Sequence, residues 1–120
     1  MKYYIGLSVI LFLFIFSNCN KNEYINDDEI PQWLKERIAE EEFIIEVSQN
    51  PMLFLTAWKR YKYKRDYYFE YDDKLSSLAF QVFDYEGKTV DLNSEQYSTY
   101  NEDKCCERFV WKSPGYEEYF

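Results

Sequence analysis

Three cysteines and no histidine limit the chemistry that this sequence of 120 residues can support. Without an imidazole, the chain cannot form a Ser-His-Asp triad, a Cys-His nucleophile pair or an H-E-x-x-H zinc site. Cys105 and Cys106 are adjacent, so they lack the two-residue spacing of a Cys-x-x-Cys redox motif. The sequence therefore predicts that the protein is not an enzyme, with no catalytic residues, no cofactor and no metal site.

The third cysteine, Cys19, follows an apolar stretch near the start of the chain. Lys2 gives this stretch a positive start, and its apolar run over residues 5–16 is short for a membrane-spanning helix, which needs about 20 apolar residues. The sequence Phe-Ser-Asn-Cys at residues 16–19 resembles a bacterial lipobox of the looser kind found in Bacteroidota. That resemblance implies a signal peptide over residues 1–18, a lipid on the Cys19 thiol and a lipoprotein of the cell envelope, anchored in the outer membrane. A plain secretory signal and an uncleaved anchor are the alternatives.

Cys105 and Cys106 have no other partner within the chain if Cys19 carries the lipid. Envelope compartments permit disulfides, so three states are consistent with the sequence: a vicinal disulfide, two free thiols, or disulfides to another chain. A metal site is not expected because a third soft ligand is missing. We predict a structural or incidental role for this pair rather than redox activity.

The net charge of −8 at pH 7 indicates the class of partner. Nucleic-acid binding depends on basic groups that neutralise phosphates, so this acidic sequence is not expected to bind nucleic acid. Residues 19–30 are acidic and polar and show no hydrophobic periodicity. This segment is predicted to be a lipidated tether between the anchor and the folded part.

The folded part depends on aromatic side chains, since the chain contains 13 Tyr, 10 Phe and 3 Trp. Each of these rings can bury a large area, so we expect a core built mainly from aromatic residues. The pattern predicts one α+β domain over residues 31–120, with an N-terminal helix packed on an antiparallel sheet of four or five strands. The predicted elements are a helix over 31–47, strands over 57–63, 67–71, 76–83, 88–92 and 108–112, and a short helix over 94–100.

Within the first helix, apolar residues recur every three or four positions and form one stripe: Trp33, Leu34, Ile38 and Ile45. Residues 43–45, Phe-Ile-Ile, are three consecutive apolar residues, which is more than one helix stripe contains. The last turn of the helix is therefore expected to be either buried or extended. Asn50 and Pro51 then end the element.

Five cations fall between residues 59 and 65 and are interleaved with two tyrosines. Such a segment can bind anions and stack on ligand rings. Strand alternation divides its cations between two faces, however, which favours a solvated edge hairpin. If this part of the sheet contacts a ligand or partner, the predicted contact residues are Trp58, Arg60, Lys62 and Tyr67.

Several short segments together resemble small lipoproteins of Bacteroidota to which no activity is assigned. They are Pro-Gln-Trp-Leu at residues 31–34, Trp-Lys-Arg-Tyr-Lys-Tyr at 58–63, Tyr-Tyr-Phe at 67–69 and Val-Phe-Asp-Tyr-Glu-Gly at 82–87. The resemblance implies a helix followed by aromatic antiparallel hairpins, and it carries no activity over to this chain.

The expected function follows from the anchor, the small size and the missing catalytic groups. We expect a non-enzymatic lipoprotein whose aromatic sheet face binds a protein partner at the cell envelope. An inhibitor or immunity protein fits this description, because an acidic surface can block a basic toxin or enzyme. A glycan-binding accessory lipoprotein, with exposed aromatic rings stacked on sugars, is the alternative.

Overall fold

The computed structural model describes residues 23–76 and 81–120, which contain three α-helices and four strands. The strands form one antiparallel sheet in the order β3-β2-β1-β4, which confirms the predicted α+β class. Among the described residues, no helix has both the length and the apolar character needed to cross a membrane. The elements are α1 (Gln32–Ser48), β1 (Thr56–Tyr63), β2 (Asp66–Asp73), β3 (Val82–Phe83), α2 (Ser94–Asp103), β4 (Cys105–Lys112) and α3 (Pro114–Tyr119).

Helix α1 starts directly after Pro31, whose fixed φ suits the start of a helix. It ends at Ser48 and is followed by Gln49, which adopts the left-handed conformation that closes many helices. The predicted apolar stripe is confirmed, because Leu34, Ile38 and Ile45 are buried against the sheet. These contacts place α1 across one face of the sheet and fix which of its side chains point outward.

Aromatic rings and aliphatic side chains together form the core between α1 and the sheet. The ring of Trp33 packs edge-on against Trp58 and Phe69, with centroid distances of 6.0 and 5.9 Å. Phe83 lies 5.5 Å from Trp58, and all three sheet residues are almost fully buried. Such ring pairs contribute about 0.5–1.5 kcal/mol each beyond the area that they bury. Rings thus supply part of the core, as the composition predicts, but its buried residues also include the aliphatic Ile25, Leu34, Ile38 and Val110, so the core is not mainly aromatic.

The opposite face of the sheet is covered by α2 and α3 and carries buried polar groups. Tyr100 of α2 donates its hydroxyl hydrogen bond to Glu70 at 2.7 Å, and Lys104 donates to the same carboxylate oxygen at 2.8 Å. Tyr116 of α3 donates to Asp72 at 3.2 Å, beside two lysine ammonium groups. Each of these buried carboxylates therefore has phenolic and cationic partners, which offset the cost of removing its charge from water.

The segment before α1 packs on the sheet, so the prediction of a tether is wrong from residue 23 onward. Tyr24 forms a parallel bridge with Phe109 at the edge of β4, and Ile25 is buried in the core. Backbone hydrogen bonds run from Ile25 N to Phe109 O and from Phe109 N to the oxygen of Glu23. An apolar side chain and an open strand edge are enough to hold this acidic segment in place. The preceding tether residues and the predicted signal peptide lie outside the described residues.

Two of the predicted strands differ from the observed ones. Only Val82–Phe83 of the strand predicted over 76–83 forms β3, and residues 77–80 lie outside the described part of the chain. The strand predicted over 88–92 is wrong, because this segment makes a single bridge, between Phe83 and Thr89. The two-residue β3 offers too short an edge for a longer ladder to form on it.

The short helix predicted over 94–100 is confirmed and extends to Asp103. It begins with reciprocal capping: Asn93 Oδ1 accepts from Gln96 N at 2.8 Å, and Gln96 Oε1 accepts from Asn93 N at 3.1 Å. Helix α3 lies beyond the last element that the sequence pattern predicts. Its N-cap is Ser113, whose hydroxyl oxygen accepts from the backbone N–H of Tyr116.

Candidate functional site

The four predicted contact residues lie on one face of the sheet, the face that α1 covers. Trp58, Arg60 and Lys62 alternate along β1, and Tyr67 of β2 is the register partner of Lys62. Trp58 is 3% exposed, because α1 lies over this part of the sheet. The structure corrects the prediction for Trp58: its ring stabilises the core and borders a cleft, instead of lying on the open surface with the others.

Arg60, Lys62 and Tyr67 lie together near the hairpin turn between β1 and β2. The guanidinium carbon of Arg60 is 4.1 Å from the centroid of the Tyr67 ring, and its Nη1 is 3.4 Å from a carboxylate oxygen of Glu29. Arg60 is buried by these contacts, whereas Lys62 and Tyr67 remain exposed. Of the predicted contact residues, Lys62 and Tyr67 are therefore the two that a partner can reach directly.

The basic segment is divided between the two faces of the sheet, as strand alternation predicts. Lys59 points to the face opposite Arg60 and pairs with Asp72 at 3.4 Å and with Glu107 at 3.1 Å. The cations of β1 therefore do not form one continuous basic surface.

Cys105 and Cys106 are joined in a disulfide at the start of β4, with their Cα atoms 3.7 Å apart. This is one of the three states that the sequence leaves open. Cys106 has a positive φ of 67°, and both residues are exposed. Cys105 is the register partner of Lys62, so the disulfide lies at the same end of the sheet as the hairpin turn. Cys19, the predicted lipidation site, lies outside the described residues.

A cleft of about 480 Å³ lies between the second half of α1, the 3-10 turn Pro51–Leu53 and the sheet. Its lining combines buried rings of the core with polar side chains of α1 and β2. These lining residues include Arg37, Glu40, Glu41, Ile44, Leu53, Phe54, Thr56, Trp58, Tyr71, Asp73, Gln81 and Phe83.

Glu41 is the central polar group of this cleft. Its Oε1 accepts a hydrogen bond from the Thr56 hydroxyl at 3.0 Å and another from the Tyr71 hydroxyl. Burial raises the pKa of Glu41 above its ordinary value, although the two hydrogen bonds act in the opposite direction. Burial and the hydrogen bond to Glu41 likewise raise the pKa of Tyr71. Because both hydroxyls donate to this carboxylate, the cluster ties α1 to β1 and β2.

Five large apolar side chains near this cleft are exposed, and we call them the α1 patch: Phe43, Ile44, Val47, Met52 and Leu53. Their exposed fractions run from 44% for Met52 to 67% for Phe43. Val47 shares a helix face with Phe43 and Ile44, since the spacings are four and three residues. Ile44 and Leu53 also line the cleft, so the patch continues into it. Exposed apolar surfaces of this kind mark interaction sites.

The α1 patch also corrects the expectation for the last turn of α1. The run at residues 43–45 is neither extended nor fully buried, because α1 continues to Ser48 and only Ile45 of this run faces the core. The sequence signal for the patch is the mixed run at residues 40–47, where three glutamates precede an apolar stretch that is wider than one helix stripe.

Carboxylates surround the patch along the exposed side of α1. Glu40, Glu42 and Glu46 are exposed, and none of them forms an ion pair with any residue in the two described segments. Unpaired charges of one sign attract a surface of the opposite sign. The surface that best complements the α1 patch is therefore apolar with basic residues around it.

A second groove, of about 430 Å³, lies between the β1–β2 turn and the turn that follows β3. Exposed Tyr67 and Tyr85 line it together with the carboxylates of Asp66, Asp84 and Glu86. Aromatic rings beside carboxylates are a combination that can stack on a sugar ring and bind its hydroxyls.

Comparison of the chain with family models, curated proteins and solved structures finds no match.

Proposed function

We propose that this chain is a lipid-anchored, non-enzymatic module of the bacterial cell envelope that binds a protein partner through the α1 patch. The observation that carries the proposal is the exposure of five large apolar side chains on the end of α1 and the following turn. A monomer gains nothing in stability from apolar groups that stay in water, so their retention on one surface favours a partner that covers them.

The charge around the patch supports a particular chemistry for this partner. The three unpaired glutamates of α1 favour a basic surface, and the net charge of −8 extends this attraction beyond the contact itself. An inhibitor or immunity-like role follows, in which the acidic module covers an apolar and basic site of a toxin or enzyme. The lipid anchor at Cys19, supported by the lipobox resemblance at residues 16–19, keeps the module at the envelope where such a protein arrives.

The proposal is tested with two matched substitutions in the full chain, expressed in its own envelope. Val47 belongs to the patch and is 65% exposed, so Val47→Ser removes an exposed apolar side chain from the patch. Leu75 lies outside the patch and is 60% exposed, so Leu75→Ser is the matched control. After chemical crosslinking, the tagged wild-type chain and the Leu75→Ser variant are expected to recover the same protein, and Val47→Ser to recover much less of it. Equal recovery by both variants contradicts binding through the patch.

Glycan binding is a second candidate, and the groove beside Tyr67 and Tyr85 is the observation that favours it. A glycan array probed with the full chain and with Tyr85→Ala tests this function. Loss of a specific signal in Tyr85→Ala supports it, and an array without any signal for the wild-type chain rules it out for the sugars tested.

A further inference from the structure

Two buried carboxylates under α2 and α3 each accept a hydrogen bond from a tyrosine of the helix above and also contact lysine. Lys104 Nζ lies 2.8 Å from a carboxylate oxygen of Glu70. Lys59 Nζ and Lys74 Nζ lie 3.4 and 3.2 Å from an oxygen of Asp72. Removing a carboxylate from water is costly unless cations and hydrogen bonds offset the loss, and the chain itself supplies both at these two sites.

Glu41, in the cleft between α1 and the sheet, has hydroxyl partners of the same kind but no lysine. Its Oε1 accepts from the hydroxyls of Thr56 and Tyr71, whereas no described residue donates to its Oε2. Glu41 also forms no ion pair within residues 23–76 and 81–120. One oxygen of this half-buried carboxylate can therefore accept from a donor that another molecule brings.

The other charged groups of the cleft leave it with an excess of negative charge. Glu40 and Asp73 line it and form no ion pair with any described residue. Arg37 is the single cation among the described lining residues, and its guanidinium carbon lies 5.7 Å from the centroid of the Phe83 ring. Burial and the charge of Asp73 both raise the pKa of Glu41. A second cation in the cleft is therefore favoured by its surroundings.

The remaining lining residues suit the stem of a long side chain. Ile44 and Leu53 belong both to the cleft and to the α1 patch, so a partner that covers the patch also covers the cleft. Phe54 and Tyr71 are half-buried in the lining, and the Tyr71 ring lies 5.0 Å from that of Trp58. Apolar and aromatic walls accommodate a methylene stem, and aromatic rings attract the cation at its end.

We propose that the cleft binds a lysine side chain of the protein partner, whose ammonium group donates to Glu41 Oε2. This inference rests on the proposed function and names the contact at the centre of the interface. Lysine is favoured over arginine because Thr56 and Tyr71 already donate to Oε1. A guanidinium group binds a carboxylate best through both oxygens, whereas an ammonium group is a compact charge that needs only one.

The test measures the binding of two probes to the purified full chain: Nα-acetyl-lysine methylamide and Nα-acetyl-norleucine methylamide. The probes have the same caps and the same four-carbon stem, and only the first carries an ammonium group. The carboxyl ¹³C signal of Glu41, observed by NMR, reports binding in the cleft. We expect the lysine probe to bind about tenfold more tightly than the norleucine probe, because it adds a charge-assisted hydrogen bond.

Two substitutions in α1 separate the cleft from the general charge of the helix. Glu41→Gln removes the charge and keeps an acceptor oxygen for the two hydroxyls. Glu36→Gln is the matched control, because Glu36 is exposed and is not among the described residues that line the cleft. The preference for the lysine probe, followed through amide signals of the cleft, should disappear in Glu41→Gln and persist in Glu36→Gln. Urea unfolding shows whether both variants are folded.

The probes also give the results that would overturn the inference. Equal binding of the lysine and norleucine probes to the wild-type chain contradicts it, and so does the absence of any binding by the lysine probe. Tighter binding of Nα-acetyl-arginine methylamide than of the lysine probe assigns the cleft to a guanidinium group and overturns it as well.

Crosslinking in the envelope distinguishes this inference from the proposed function. We expect Glu41→Gln to recover about tenfold less of the partner than Glu36→Gln does. If Val47→Ser loses the partner and Glu41→Gln retains it, the α1 patch binds a protein without a lysine in the cleft, and this inference alone fails. If the wild-type chain recovers no partner, the proposed function fails. A preference for the lysine probe would then assign the cleft to a free alkylammonium ligand, which also overturns the inference.

Discussion

Replacement of Glu70 by glutamine is expected to destabilise the fold by removing the charge that holds α2 on the sheet. Glu70 is 4% exposed, and one of its oxygens accepts from the Tyr100 hydroxyl at 2.7 Å and from Lys104 Nζ at 2.8 Å. Burial and this carboxylate both raise the pKa of Tyr100, so the phenol remains a donor at all working pH values. Glutamine retains an acceptor oxygen for Tyr100 but leaves the Lys104 ammonium, with a side chain only 15% exposed, without a counter-charge.

The size of the effect follows from these contacts. Hydrogen bonds to charged groups contribute about 1.5–3 kcal/mol each, so loss of the charge should cost about 2–3 kcal/mol of the free energy of unfolding. A domain of this size loses roughly 4–8 °C in Tm per kcal/mol, which gives a decrease of about 10–20 °C. Lys104→Met added to Glu70→Gln removes the unpaired ammonium as well, and should restore part of the stability.

Urea and thermal unfolding of the purified variants, followed by tryptophan fluorescence, measure this effect. Glu102→Gln is the matched control, because Glu102 is an exposed carboxylate of α2 and its loss should change the free energy of unfolding by less than about 0.5 kcal/mol. If Glu70→Gln behaves like Glu102→Gln, the buried network does not hold α2. If Lys104→Met further lowers the free energy of unfolding of the Glu70→Gln variant by as much as it lowers that of the wild type, Glu70 and Lys104 are not coupled.

Three further predictions concern α1 and the turn that supports it. Because the pKa of Glu41 is raised, the folded state binds the proton of this carboxyl group more tightly than the unfolded state does. The protonated carboxyl group therefore stabilises the fold below about pH 4.3, its pKa in the unfolded chain. This stabilisation is lost as pH rises through the pKa of the folded state. Glu41→Gln removes this loss. Urea titrations at several pH values should therefore show that the free energy of unfolding of the variant increases relative to that of the wild type as pH rises. Gly87→Ala should cost at least about 1–2 kcal/mol by the same titration, because φ is +90° and the new Cβ would lie 2.8 Å from the Trp33 ring. Val47→Ser should change Tm little, since this side chain is already exposed.

Each of these predictions has a result that would contradict it. A constant difference between Glu41→Gln and the wild type over pH would mean that Glu41 is not the titrating group. A Gly87→Ala variant of wild-type stability would show that the turn and the Trp33 ring adjust without cost. A large loss of Tm in Val47→Ser would assign this side chain to the core of the fold instead of to a binding surface.

Local sequence patterns predicted the elements whose stabilising contacts join residues close together in the sequence. The three- and four-residue spacing of Leu34 and Ile38 identified α1, and alternation along β1 identified the two faces of the hairpin. Aromatic composition predicted the rings of the core but not the share of aliphatic residues, such as Ile25 and Val110, that pack among them.

The remaining features depend on contacts between segments that are far apart in sequence. Ile25 is surrounded by polar residues in the sequence, and its burial requires the edge of β4, more than 80 residues later. The same folding back brings Glu29 to Arg60 and buries a cation that the sequence places on the surface. The sequence does not predict the α1 patch, since an apolar run predicts burial and only packing shows which of its residues stay exposed.

The measurement that tests the central claim most directly is site-specific photocrosslinking of the full chain in intact envelopes. A benzophenone amino acid at position 43 lies in the α1 patch, and the same residue at position 75 is the control at a similar exposure. Our account predicts one protein adduct at position 43, absent at position 75, and weakened when Glu42 and Glu46 are changed to glutamine. The absence of an adduct at position 43, or the same adduct at both positions, would contradict partner binding through the α1 patch.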